Sequence, residues 1–234
     1  MSAFGGPNII TDGLVMYVDA LNPKCYPGTG TSFIDLVNPT NVGTLVNGTT
    51  FQAGKGFVFD GVDDYATLPH LDVYNTYGTT NEITVLATYY WDETLDATVE
   101  SYTGIIDKGG YNVGFGAIYK AANQSGSQYN MYINKTSGAI QRPTSGLSTV
   151  NFNYAGFTST STNLSTYLNG VFQGANTFSA STLNTSTAEF TFGKRATHPY
   201  YHYGPIVSLQ MYNKALSASE VLQNYNATKT RFGL

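Results

Sequence analysis

Three aspartates fall close together in the stretch FDGVDDY: Asp60, Asp63 and Asp64. Carboxylates in such a group are hard oxygen ligands of the kind a calcium ion takes, although the spacing is not that of an EF-hand loop. The same residues have a plainer use, in which Gly61 makes a tight turn and the aspartate side chains accept backbone amides. A second group is aromatic. The segment from His198 to His202 and on to Tyr203 gathers Tyr200, Tyr201 and Tyr203, whose rings could stack on a sugar face or a partner protein, or simply pack. His198 and His202 do not read as a metal pair, because Pro199 blocks a regular helix and loop spacing fixes no geometry. Cys25 is the only cysteine. No motif places a base beside it, so it reads as a buried bystander, and no internal disulfide can form. The Gly28-Thr29-Gly30 stretch lacks the Gly-Lys-Ser ending of a phosphate loop and reads as a turn.

The elements that would hold these groups are strands. Residues 14–19, 57–60, 83–91 and 129–134 are β-rich, and short candidate strands recur between Gly, Asn and Pro, as in a sandwich. Within 83–91, Ile83, Val85, Ala87 and Tyr89 point one way while Thr84, Leu86, Thr88 and Tyr90 point the other. Asn47-Gly48 and Asn169-Gly170 are expected to be two-residue hairpin turns, since Asn-Gly supplies the positive φ angles such turns need. One helix is expected near the C-terminus. Ser217-Ala-Ser-Glu220 is a capping box, Leu216 and Val221 could staple the helix entry, and Lys229 and Arg231 suit its C-terminal end near Thr228.

Composition agrees with an all-β chain and excludes several functions. Aromatic residues reach 14% and charged residues only 11% of the 234 residues, a balance suited to half-buried strands rather than to disorder. The net charge is −4 and no Lys/Arg cluster occurs, so neither nucleic acid nor a membrane surface is an expected partner. The N-terminal segment lacks the basic start and apolar run of a secretory signal, so the chain is expected to be made in the cytoplasm without export. No linker, low-complexity tract or repeat divides residues 1–234, which are expected to form a single domain.

Taken in order, several segments resemble the laminin-G-like, concanavalin-A-type jelly-roll superfamily across nearly the whole chain. They are GLVMYVDALNPKCYPGTGTSFIDL, FVFDGVDDYATLP, ITVLATYYWDE, GIIDKGG, YLNGVFQG, FTFGKR and YNKALSASEVLQNYNATKTRFGL. The last is also similar to marine phage virion proteins. The resemblance implies a two-sheet antiparallel jelly-roll sandwich with one short C-terminal helix. The C-terminal segment is expected to close one edge of that sandwich. Many relatives hold calcium near the sheet rim with an acidic pair after a Gly-x-Ile in the final strand. Here Val207 and Ser208 occupy those places, so a structural calcium at Asp60, Asp63 and Asp64 is set against the turn reading.

The fold class also contains retaining glycosidases with two Glu on one strand in a Glu-x-Asp-x-Glu pattern. That pattern is absent. In the acidic stretch 92–100, Glu93 and Asp96 would point to opposite faces of an extended strand. The chain is therefore expected to be non-enzymatic. Its expected role is a phage virion structural protein, a capsid decoration protein on the outer particle surface. There it would bind capsid or other virion proteins by surface complementarity, with multiplicity or self-association supplying avidity. The alternative is a carbohydrate-binding adhesin that takes a cell-surface glycan.

Overall fold

The computed structural model describes residues 7–90, 103–110, 113–119, 129–144 and 151–234. Within them sixteen strands form two antiparallel sheets, and the strand labels below follow chain order. The first sheet runs β14 (Val171–Thr177), β13 (Asn163–Leu168), β12 (Phe152–Ser159), β7 (Ile83–Tyr90), β16 (Tyr203–Tyr212), β5 (Gly56–Asp60) and β4 (Thr50–Gln52). Strand β1 (Leu14–Asp19) also pairs with β16. The second runs β11 (Gly138–Thr144), β10 (Tyr129–Lys135), β9 (Phe115–Tyr119), β8 (Ile106–Lys108), β15 (Phe190–Phe192), β6 (Tyr65–Leu68), β3 (Val42–Val46) and β2 (Ser32–Ile34). This is the two-sheet jelly-roll sandwich that the resemblance implied.

The strand period of two sorts side chains between core and outer face. In β7, Ile83, Val85, Ala87 and Tyr89 share one face, as the alternation predicted, and that face enters the inter-sheet core, whereas Leu86 joins a separate cluster on the outer face. Aromatic rings bridge the two sheets: Phe33 of β2 lies 5.3 Å from Phe57 of β5, and Phe115 of β9 lies 6.2 Å from Phe157 of β12. Each fully buried ring of this kind stabilises the fold by about 1.5–3 kcal/mol. Trp91, at the end of the expected strand 83–91, and the acidic stretch 92–100 lie outside the described residues.

The two Asn-Gly turns resolve differently. Asn169-Gly170 joins β13 to β14 as a hairpin, with φ of 50° and 78° and Leu168 opposite Val171. Asn47-Gly48 has the same left-handed backbone, φ 62° and 114°, yet β3 pairs with β2 and β6 in the second sheet while β4 pairs with β5 in the first. The expected hairpin is thus a crossover between sheets. A turn reverses the chain, but the partners each strand finds decide whether the reversal makes a ladder.

A single-turn helix α1 (Tyr77–Thr80) precedes β7, and helix α2 (Ala218–Phe232) starts at the predicted capping box: Glu220 N–H donates to Ser217 Oγ at 3.3 Å, and Ser217 N–H donates to Glu220 Oε2 at 2.8 Å. It runs one turn past the expected end, to a left-handed cap at Gly233 with φ 70°. Its Val221 packs with Leu86, Tyr154, Tyr212 and Leu216 on the outer face of the first sheet. Lys229 and Arg231 lie in its last turn, as expected, and Arg231 also pairs with buried Asp19 of β1, its Nη2 2.7 Å from Asp19 Oδ1. The C-terminal segment therefore roofs a sheet face and reaches the β13–β14 turn at its edge, where a Cβ at Gly170 would lie 2.9 Å from Leu222, while β16 lies between β7 and β5 in the sheet interior. Among the described residues no helix is long and apolar enough to cross a membrane.

Candidate functional site

Where α2 stops, the outer face of the first sheet opens into a groove of about 490 Å³. Its lining comes from five strands and their turns: Tyr90 ends β7, Phe152 begins β12, Tyr203 and Pro205 begin β16, Val58 lies in β5 and Gln52 ends β4. Registration explains why these side chains share a surface. Phe152 stands opposite Tyr90, and Pro205 opposite Val58, while the alternate residues Tyr89, Phe57 and Phe59 enter the core. The Tyr90 and Phe152 rings meet edge to face at 5.7 Å. Gln52, Lys55 and Asn151 add polar groups at the margins, and Gly233 of the helix cap forms one wall. Gly204, at φ 117°, allows the close approach of β16 to β7, since a Cβ there would lie 2.9 Å from the Tyr90 carbonyl oxygen.

The Asp60, Asp63 and Asp64 turn lies on the other side of Tyr203. A recess of about 380 Å³ is lined there by Asn47, Gly48, Thr50, Asp60, Asp64 and Tyr203, so Tyr203 borders both spaces. Gly61, at φ 76°, brings the turn against Tyr203, whose Cβ would be 3.1 Å from a Cβ at Gly61. Oxygen atoms of the three carboxylates lie within 4.8 Å of one another. Asp60 Oδ1 accepts the amides of Val62, Asp63 and Asp64 at 2.8, 3.3 and 3.4 Å, and Asp64 Oδ2 accepts the Asp60 amide at 3.2 Å. Burial, and then the Asp60 charge, push the Asp64 carboxyl up to about 6. Hard oxygens suit calcium, but that ion takes about six to eight of them. Here two carboxylate oxygens are already committed to turn amides, and the hydrogen bonds are those of the turn reading.

The aromatic segment does not act as one platform. His198 and Tyr200 stack with ring centres 5.2 Å apart, and Tyr200 also faces the Arg195 guanidinium at 5.9 Å. Tyr201 forms a bridge with Lys194, whose Nζ sits between the Tyr65 and Tyr201 rings at 4.5 and 5.5 Å. Only Tyr203 of the three lines the groove. His202 turns inward and is fully buried against Phe59 and Tyr89, which drives its pKa down to about 3, so the two histidines share no site. Cys25 is buried, donates to the Ile34 carbonyl at 3.0 Å and has its thiol pushed up to about 11 by burial, as a bystander should. Gly28 and Gly30 take φ of 93° and 86° in a bend. Sequence reasoning missed Phe152, Pro205, Gln52, Lys55 and Asn151. Alternation had put Tyr90 on the face opposite Tyr89, but nothing local marks strands remote in sequence as neighbours.

Residues 60–222 match the concanavalin A-like lectin/glucanases superfamily, so the chain belongs to that family. No curated protein sequence matches it. Among solved structures it is similar to Trypanosoma rangeli sialidase in complex with sialic acid, with a TM-score of 0.68 and 17% identity over 99% of this chain and 35% of that one. It is also similar to the botulinum neurotoxin serotype D binding domain, with a TM-score of 0.68 and 13% identity, covering 92% of this chain and 52% of that chain. The botulinum neurotoxin DC binding domain in complex with SialylT has a TM-score of 0.66 and 12% identity at the same coverage. The chain thus spans about a third of the sialidase and half of the toxin domains, and these likenesses show the fold alone.

One expectation is corrected by these findings. The chain was expected to be non-enzymatic, yet the similar structures include sialidases and the family includes glucanases. A missing Glu-x-Asp-x-Glu strand tests only one catalytic arrangement, and a scaffold shared by lectins and hydrolases does not mark a chain as a non-enzyme. A match to 35% of a sialidase chain assigns no activity either.

Proposed function

We propose that this protein is a carbohydrate-binding module that takes a glycan in the outer-face groove. The observation that favours it is the lining: three half-buried aromatic side chains, Tyr90, Phe152 and Tyr203, beside the amides of Gln52 and Asn151. Aromatic faces suit the apolar face of a sugar ring, and amides suit its hydroxyls. The volume falls in the range of about 300–1,000 Å³ usual for ligand sites. Family membership and the glycan ligands named for similar structures support the same reading.

The similar proteins reported above are glycan-related enzymes and toxin domains, not particle proteins, so this adhesin reading takes the place of capsid decoration. The C-terminal segment's resemblance to phage virion proteins suggests a virus particle as the module's setting, and co-purification with intact particles tests that setting. The binding itself is tested on a glycan array. Tyr203→Ala and Phe152→Ala are each expected to weaken binding by about tenfold or more, roughly the worth of one stacked ring. Unchanged binding in both variants, or no binding by the native chain at high concentration, rules the groove out.

A further inference from the structure

The groove has two chemically different ends. Tyr90, Phe152 and Tyr203 cluster where β16 begins, with Tyr203 opposite Asp60 at the end of β5. Gln52 ends β4 and Lys55 lies in the turn just before β5, five residues from Asp60 and so about 17 Å away along the strand at the usual rise. Among the described residues that line the groove, Lys55 is the one charged side chain.

Among the described lysines, Lys55 shares its freedom only with Lys24, which is exposed and lies outside the groove. Lys108 and Lys135 donate to the carbonyls of Ala188 and Thr160, and Lys194 lies over Tyr65. Lys214 pairs with Asp12 and Glu220, and Lys229 donates to Asn226. Lys55 is exposed and, among the described residues, has no carboxylate partner. The turn that presents it is fixed. Lys55 N–H donates to Gln52 O at 2.9 Å, and Gly56, at φ 91°, is pressed so close to β16 that a Cβ would lie 2.6 Å from Ile206 O.

We infer that the groove selects an acidic oligosaccharide, with an uncharged sugar ring over Tyr90, Phe152 and Tyr203 and an anionic sugar substituent facing Lys55. This rests on the glycan reading above and deepens it. The protein's net charge of −4 gives no general attraction for anions, so the selection comes from one local ammonium group. An ammonium-to-anion contact at an exposed margin is weakened by salt, whereas stacking at the aromatic end is not.

The test is an array of matched glycans: one neutral oligosaccharide series and the same series capped with sialic acid, with a uronic acid, or with sulfate. The expected result is tighter binding of at least one acidic set than of its neutral parent. Lys55→Gln is expected to reduce that acidic-to-neutral affinity ratio by roughly tenfold, and Lys55→Arg to keep it. The three caps separate carboxylate from sulfate. Equal binding of neutral and acidic members, or an acidic preference that survives Lys55→Gln, overturns the inference while leaving the glycan reading in place. Absence of binding across the whole array removes both.

Discussion

Under α2 the outer face of the first sheet is closed by Leu86, Tyr154, Tyr212 and Val221, whereas beyond Gly233 the same face leaves Tyr90, Phe152 and Tyr203 half-buried. The closed half uses its polar atoms on itself. Tyr154 Oη donates to Gln210 Oε1 at 3.0 Å, Tyr212 Oη donates to the Ile10 carbonyl at 3.0 Å, and Asn224 Nδ2 donates to Tyr212 Oη at 2.9 Å. In the open half the side-chain hydroxyls of Tyr90 and Tyr203 make no hydrogen bond among the described residues. The same residue type thus does two jobs on one surface. Where the helix covers it, tyrosine is core; where the helix stops, tyrosine stays half-buried and lines the groove proposed to take a glycan.

Stability experiments should break that contrast most sharply in the closed half. Tyr154→Ala removes a fully buried ring and its hydrogen bond to Gln210, and is expected to cost about 3–5 kcal/mol in urea unfolding. A loss below about 1 kcal/mol would mean that the helix face repacks freely and that the two halves are not distinct.

Somewhat less is expected from Arg231→Gln, which takes the guanidinium from Asp19, a residue with no exposure. Leaving that carboxylate buried without its cation should cost about 3 kcal/mol, because Asp19 keeps only the Tyr17 hydroxyl and Leu21 amide. The double variant with Asp19→Asn should recover part of the loss. If it does not, the pair is not what anchors the end of α2 beside the groove.

The smallest effect belongs to the Asp60 turn. Asp64 titrates near 6 when folded, above its ordinary 3.8, so the folded chain holds the proton more tightly. Its contribution is therefore fully present below about 4 and lost as the pH rises through about 6. The difference in unfolding midpoint between the native chain and Asp64→Asn should change across that window and stay flat above it. With Asp60 Oδ1 and Asp64 Oδ2 both accepting turn amides, which leaves Asp64 Oδ1 buried and without a partner among the described residues, millimolar calcium should leave the native midpoint unmoved. A calcium-dependent rise would instead make the three aspartates a cation site.

Local chemistry determined much of this protein. Period-two alternation placed Tyr89 and Tyr90 on opposite faces of β7, Asn169-Gly170 closed a hairpin, Ser217 and Glu220 started the helix, and Asp60 capped its own turn. Each depends on residues within a few positions of one another, so the sequence contains the whole cause. The rest depends on which strands become neighbours. That Asn47-Gly48 crosses between sheets, that β16 lies in a sheet interior, and that Tyr90, Phe152 and Tyr203 meet in one groove were decided by pairings between residues far apart in the chain. Such pairings are selected by burial of both sheet faces together. No local pattern records them, so the groove became visible only in the folded chain.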